Sequence, residues 1–511
     1  MDPVELAVLS SRMEALCEEM GATLRRSAFS PNIRDRLDFS CAIFDRDGRL
    51  VAQAAHIPVH LGSMAYAMQD LVDRFDWSDG DSVLLNDPFL GGTHLPDITV
   101  VTPCFLDNEL QGFAVNRAHH ADVGAESPGS MPTSRRLEEE GLILPPQRIC
   151  QGGRLDESRI EAIVGATRAP RDMRGDLLAQ VHVNDRGCTR LREQVEETGA
   201  EAYARALGAL NDYGRTIARN ALKDISDGIY AAAEMMEDDG LGHEDVRLQV
   251  QIQVRDGRVR VDFEGTDAQV EGPINCPISV TAAGVYYAFR CLMPGYTPAC
   301  AGCFDAIELH APERCLLNAQ PPAAVAAGNV ETSMRVVDLV LAALRQALPE
   351  HIPAASQGTM NNFAVGQDGE ASWAYYETLA GGMGAHAKGP GLSARHSHMT
   401  NTLNTPVEVV EQVYPMRVLR YALRRGSGGE GRHPGGDGVV REYEFRAPAR
   451  FSLLTERRRR APPGVAGGAD GQAGRNRLNG EDLPGKCQRS AVAGDRVVIE
   501  TPGAGGWGSA A

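Results

Sequence analysis

His94 and Asp97, together with the adjacent pair His119 and His120, are the residues whose types and spacing point most directly to chemistry. The first two close the stretch Asn86-Asp87-Pro88-Phe89-Leu90-Gly91-Gly92-Thr93-His94-Leu95-Pro96-Asp97. Two glycines before the histidine and a proline before the aspartate argue against a helix, so both side chains fall on a turn that feeds the apolar run ITVVTPCF. The segment Asn116-Arg117-Ala118-His119-His120-Ala121-Asp122 then ends the next predicted strand, and antiparallel pairing would bring the two loops together. Two imidazoles and a carboxylate form an N/O set suited to zinc, manganese or iron, with water filling the remaining positions at a catalytic centre. On extended backbone His119 and His120 point to opposite sides, so at most one is a ligand and the other supports the site or meets substrate. Spacing alone leaves an alternative open, because His-x-x-Asp arises by chance and paired histidines also satisfy buried carbonyls.

The elements that must position these residues can be read from periodicity. Val4, Val8, Leu9, Met13, Leu16, Met20 and Leu24 recur at helical intervals and predict an opening amphipathic helix. DFSCAIFDRDGRLVAQ reads as strand, Asp-Gly turn and strand. A helix from about Leu61 to Phe75 follows, then strands around Ser82 to Leu85, Ile98 to Phe105 and Gln111 to Val115. Residues 155–240 have helical composition, and VRLQVQIQVRDGRVRVDFEG alternates as a hairpin. Helices near 278–292 and 333–347 precede a Gly-, Pro- and Arg-rich region with strand-like islands. At 511 residues the chain exceeds one hydrophobic core. The expectation is a mixed α/β (α+β), multidomain fold: a metal-binding region over 1–150, a helical segment over 151–240, a mixed region over 241–425 and a β-rich region over 426–511.

A formal charge of -17 makes nucleic acid and anionic membranes poor partners, and no apolar run approaches a membrane span. The start of the chain lacks the basic and apolar blocks of a signal peptide, and scattered cysteines read as free thiols, so a cytoplasmic location is expected. The basic run Arg457 to Arg460 is expected to be a solvated surface cluster. His396 and His398 are expected on one face of a strand, while Glu331 and Glu377 suit buried structural roles better than acid/base ones. The C-terminal match to G-x-G-x-x-G has no room for a following helix, and no P-loop pattern exists, so nucleotide is expected to bind elsewhere.

The blocks RLDFSCAIFDRDGRLVAQAAHIPVHLGSM, NDPFLGGTHLPD, NRAHHADVG, DFEGTDAQVEGPINCP, GNVETSMRVVD, SQGTMNN, YYETLAGGMGA, HSHMTNTLNTPVEVVE and TPGAGGWG resemble the hydantoinase B/oxoprolinase family along nearly the whole chain. That family includes ATP-dependent hydantoinases, 5-oxoprolinase and a lactam-opening enzyme, with acetone and acetophenone carboxylases as relations. The resemblance implies a divalent transition metal (Zn, Mn or Fe) held by Asp38, His94, Asp97 and His119, with Asp38 opening a strand. It also implies a hetero-oligomer in which a hydantoinase A-like ATPase subunit, actin-like in fold, phosphorylates a small cyclic amide. This chain would then hydrolyse the activated ring, with His120 shuttling a proton or steadying the oxyanion. A ketone carboxylase subunit and a non-catalytic scaffold are the alternatives. Glycines 91, 92, 124 and 129 in the surrounding loops point to an open, water-accessible site and so to the hydrolase. Ala125 and His182-Val183-Asn184 depart from the family pattern.

Overall fold

The computed structural model describes residues 3–54, 57–60, 62–369 and 372–510. Helices α1 (Pro3–Ser27) and α2 (Pro31–Arg34) lead into β1 (Phe39–Asp45) and β2 (Leu50–Ala54), and α3 (Ser63–Leu71) into β3 (Ser82–Leu85). Next come β4 (Asp97–Leu106), β5 (Glu109–His119), β6 (Gln147–Gln151) and β7 (Arg154–Leu155). These strands form an antiparallel sheet in the order β2-β1-β5-β4-β3-β6-β7. Strand alternation divides its faces. Ala42, Phe44, Phe113 and Val115 pack with Met64 and Met68 of α3, while Cys41, Ile43, Ala114 and Ala118 pack with α1 and the helices that follow.

Those helices are α4 (Glu157–Val164), α5 (Pro170–Thr198) and α6 (Ala200–Leu222). Pro170 opens α5, and Leu177, Gln180, Asn184, Cys188, Leu191 and Val195 recur on its buried side. Two of these are polar because the sheet beneath offers matching groups. Gln180 Nε2 donates to the Ile98 carbonyl at 2.9 Å, Asn184 Nδ2 to the Val100 carbonyl at 2.9 Å, and Asn116 Nδ2 to Asn184 Oδ1 at 2.8 Å. Asn184, a departure from the family pattern, therefore clamps α5 to β4 and β5. Cys104 and Cys188 join the same helix and sheet as a disulfide, a correction to the expectation of free thiols throughout.

The helical stretch ends at Leu222 rather than near residue 240, and β8 (Gly228–Asp238) follows. Its run Tyr230, Ala232, Glu234, Met236 faces inward at every second position, and pairing with β9 (Glu244–Arg255) overrides the helical preference of its alanines. β10 (Arg258–Asp262), α7 (Ile278–Arg290), β11 (Ile307–His310) and α8 (Ser333–Leu344) complete this region, with the sheet ordered β11-β10-β9-β8. The remaining elements are β12 (Asn362–Gln367), β13 (Trp373–Thr378), α9 (Val407–Val413), β14 (Met416–Arg424), β15 (Gly438–Phe445), β16 (Ala449–Leu454), β17 (Arg475–Leu478), β18 (Glu481–Leu483), β19 (Lys486–Ala491) and β20 (Arg496–Glu500). They build two further sheets, β13-β12-β16-β19 and β14-β15-β20-β17-β18. The fold is thus mixed α/β. Among the described residues no helix is long and apolar enough to cross a membrane.

The basic run is a solvated cluster only at its far end, where Arg459 and Arg460 are exposed, while Arg457 is buried. Backbone N–H groups of Arg458, Arg459 and Arg460 donate to the buried Glu237 carboxylate at 2.8, 2.8 and 2.6 Å, and the Arg457 guanidinium is buried against Asp338 at 3.0 Å. The anion this run receives belongs to its own chain. Burial opposes ionisation of Glu237, but the three amide donors outweigh it and hold the carboxyl below its ordinary value of 4.5. A depressed folded-state pKa gives stability that is present above the unfolded value and lost as pH falls through the folded one. Glu237→Gln is expected to cost about 1–3 kcal/mol at pH 7. The deficit should shrink as pH falls below about 4.5, read from urea unfolding of both proteins across pH.

Candidate metal centre

Asp97 begins β4 and His119 ends β5, and the antiparallel register sets them directly opposite one another. The turn before Asp97 brings in His94, whose carbonyl accepts the Asp97 N–H at 3.0 Å. Gly91 shapes that turn, with φ of 97° and so close an approach to the Ala67 backbone that a Cβ would collide. Buried Arg117, two residues before His119 on the same face, pins the loop. Its guanidinium donates to Gly91 O at 3.0 Å, Ser63 Oγ at 2.8 Å and Thr99 Oγ1 at 2.8 Å.

The result is a triangle of ligand-type atoms. His94 Nε2 lies 3.2 Å from Asp97 Oδ1, His119 Nδ1 lies 3.1 Å from the same oxygen, and the two nitrogens are 3.2 Å apart. Donors about 2.0–2.2 Å from a shared ion sit about 2.9–3.5 Å from each other in octahedral or tetrahedral arrangements, so these separations fit a divalent cation. Protons alone can also fill the triangle, with His94 Nε2–H and His119 Nδ1–H both donating to Asp97 Oδ1, so the case for a cation rests on the three separations and the chemistry of the donor set. The other carboxylate oxygen, Oδ2, is occupied: Thr93 Oγ1 donates to it at 2.5 Å and Asn329 Nδ2 at 3.4 Å, and His60 Nε2 stands 3.6 Å away.

Electrostatics follow from burial and this crowding. Asp97 is buried, which disfavours its charge, but His94, His119 and His60 hold its carboxyl well below the usual range. Burial works against the His94 imidazolium, yet the facing Asp97 raises its pKa, whereas burial prevails at His119 and lowers it. His94 Nδ1 faces the Ala326 carbonyl at 3.4 Å, which directs Nε2 into the triangle. Ala326 is itself fixed, since Glu140 Oε1 accepts its N–H at 2.9 Å and that of Val325 at 2.8 Å. Burial pushes the Glu140 carboxyl up to about 7.

Asp38 stands beside the triangle without joining it. Its carbonyl accepts the His119 N–H at 2.9 Å, but its carboxylate faces Arg36 at 3.6 Å. His120 turns to the opposite face of the sheet, as alternation requires, where its Nε2 meets Gln180 Oε1 at 2.9 Å. Its place is therefore at the seam with α5, on the face of the sheet away from the triangle where a proton shuttle was expected. The triangle is also enclosed: His94, Asp97 and His119 are 0%, 1% and 3% exposed, against the expectation of an open site. His396 and His398 lie on a loop rather than a strand. His398 Nε2 faces Asp338 at 3.5 Å, and the ring nitrogens of half-buried His396 are shielded from solvent without a hydrogen bond among the described residues.

Three contributors escaped the pattern of spacings. His60 precedes α3 and holds Ser40 Oγ at 2.9 Å through Nδ1. Tyr376 of β13 stacks on His119 with ring centroids 4.6 Å apart, and its hydroxyl donates to Asn362 Oδ1 at 2.7 Å. Asn329 sits in a π-helical turn, Gly328–Thr332, that opens α8. The blocks GNVETS and YYET drew attention to Glu331 and Glu377, while their neighbours reach the site. Glu331 accepts from Met360 N–H at 2.9 Å and Asn362 Nδ2 at 2.8 Å, and so supports Tyr376 indirectly. Glu377 accepts from Tyr443 and Asn404 on the far side of β13.

Comparison with known proteins places this geometry in a family. Residues 2–510 match hydantoinase B/oxoprolinase. A 5-oxoprolinase of Arabidopsis thaliana is 38% identical over 99% of the chain, which spans only 42% of that protein's length. A protein of a Pseudomonas strain, named as one subunit of a D-/L-hydantoinase, is 30% identical over 100% of the chain and 90% of its own length. The crystal structure of an ATP-dependent caprolactamase from Pseudomonas jessenii superposes with a TM-score of 0.93 at 27% identity, over 100% of this chain and 91% of that one. An acetone carboxylase shares the fold alone, with a TM-score of 0.88 at 18% identity over 99% of this chain and 76% of that one. The chain belongs to the hydantoinase B/oxoprolinase family.

Proposed function

We propose that this chain is the metal-dependent hydrolytic subunit of an ATP-dependent cyclic amidohydrolase. The observation that carries the proposal is the triangle of His94 Nε2, Asp97 Oδ1 and His119 Nδ1, closed to within 3.1–3.2 Å in a buried setting. A divalent cation held there supplies Lewis-acid activation of water toward an activated ring carbon. The chain's own groups set the stage: Ala326 orients His94, Tyr376 flanks His119, and Thr93 and Asn329 fix Asp97 so that one oxygen stays free for a cation. Asp38 is proposed to complete the ligand set from its place beside His119. Burial excludes bulk water and so raises the strength of every charge interaction inside.

Nucleotide chemistry is assigned to a hydantoinase A-like ATPase partner in a hetero-oligomer. The chain has no P-loop pattern, the Pseudomonas relative is named as one subunit of its hydantoinase, and the chain spans only 42% of the Arabidopsis 5-oxoprolinase. The enclosed centre removes the open-site argument against a carboxylase. Preference for the hydrolase rests instead on the relatives, because the 5-oxoprolinase and the caprolactamase resemble this chain at 38% and 27% identity and the acetone carboxylase at 18%. A scaffold role leaves the convergence of three ligand atoms without a reason.

Two outcomes test the proposal. The purified chain should bind about one divalent transition-metal ion, with binding abolished in His94→Ala and in His119→Ala but weakened by no more than about 10- to 100-fold in His120→Ala. Elemental analysis after dialysis decides, and full occupancy in His94→Ala contradicts the site. With the ATPase subunit, the complex should consume ATP while opening a cyclic amide in the absence of bicarbonate. Strict bicarbonate dependence with a ketone and no ring opening would place the protein among carboxylases.

A further inference from the structure

Arg36 is fully buried, so its charge has to be compensated within the fold. Neutral acceptors hold its fork: Nη1 donates to the Tyr376 carbonyl at 3.0 Å and to Asn32 Oδ1 at 3.3 Å, and Nη2 to Thr378 Oγ1 at 3.1 Å. Among the described residues the compensating charge comes from Asp38, whose Oδ2 lies 3.6 Å from Nη2. That separation exceeds a hydrogen bond, so the carboxylate is kept near the guanidinium without being tied down by it. Between the two residues Leu37 has a φ of 58°, a left-handed conformation that leucine rarely adopts and that the fold sustains where Arg36 and Asp38 meet.

Arg36 also reaches His119 by a second route. Its guanidinium carbon stands 4.9 Å from the centroid of the Tyr376 ring, and that ring stacks on the His119 imidazole with 18° between their planes and 4.6 Å between centroids. The backbone closes the circuit, because the Asp38 carbonyl accepts the His119 N–H at 2.9 Å. We infer that Arg36 is a positioning residue of the proposed metal centre, on which this inference rests: it keeps the Asp38 carboxylate beside His119 and, through Tyr376, fixes the plane of the His119 ring. Thr93 and Asn329 serve Asp97 in the same way. The charge of Arg36 acts in the opposite direction, since a guanidinium near the centre repels a divalent cation. Positioning and repulsion therefore predict opposite changes in metal affinity when Arg36 is removed.

The test measures the zinc affinity of the full chain by competition with a chromophoric chelator. Arg36→Met should bind zinc about 10- to 100-fold more weakly than the wild-type chain, the range seen for groups that orient metal ligands. In an Asp38→Asn background the loss caused by Arg36→Met should shrink, which a general loss of stability would not produce. Unchanged or tighter binding by Arg36→Met overturns the inference, and so does an undiminished loss in the Asp38→Asn background. If Arg36→Met fails to fold, a crystal of the zinc-loaded wild-type chain decides. One Asp38 oxygen on the ion with the other still facing Arg36 supports the inference, and an Asp38 carboxylate turned away from either overturns it. Failure of the wild-type chain to bind zinc removes the metal centre itself, whereas wild-type affinity in Arg36→Met removes only the role of Arg36.

Discussion

Asp97 has two carboxylate oxygens and each is committed to a different task. Oδ2 is bound by Thr93 and Asn329 and approached by His60, while Oδ1 faces His94 and His119. A buried carboxylate is tolerated only when its charge is compensated, and here hydrogen bonds compensate one half and imidazoles the other. That division leaves one oxygen with two nitrogens at separations that fit a divalent cation.

The rest of the structure can be understood as what holds that carboxylate in place. The β4–β5 register sets His119 opposite it, Arg117 ties the preceding loop to the sheet, and α5 grips the strand ends from behind through Gln180 and Asn184. From the other side, Ala326, Asn329 and Tyr376 arrive from segments more than two hundred residues further along the chain. The centre is therefore complete only when the first sheet and the later regions are packed together. Its enclosure follows from the same closure, since the loop glycines that suggested an open mouth serve instead for close backbone approach.

Local patterns showed through the sequence where local physics decides the outcome. An Asp-Gly turn marked β1 and β2, an apolar run marked β4 and alternation marked the β9–β10 hairpin, while the Gly-Gly-Thr-His turn and the Arg-Ala-His-His strand end carried the residues of the triangle. Opposite orientation of His119 and His120 followed from extended backbone alone. What escaped depends on distant partners. Alanine-rich Gly228–Asp238 is a strand because β9 pairs with it, and Arg457 is buried because Asp338 receives its guanidinium while the amides of Arg458, Arg459 and Arg460 close on Glu237. His60, Tyr376 and Asn329 carry no spacing signal that links them to Asp97, and only the tertiary fold brings them there.

The central claim is that one cation sits among His94, Asp97 and His119. A crystal of the full chain grown with zinc, with diffraction data on both sides of the zinc absorption edge, tests it most directly. The account predicts one strong anomalous peak within bonding distance of His94 Nε2, Asp97 Oδ1 and His119 Nδ1. A peak of full occupancy held by other residues, with those three side chains directly hydrogen-bonded to one another, would contradict it.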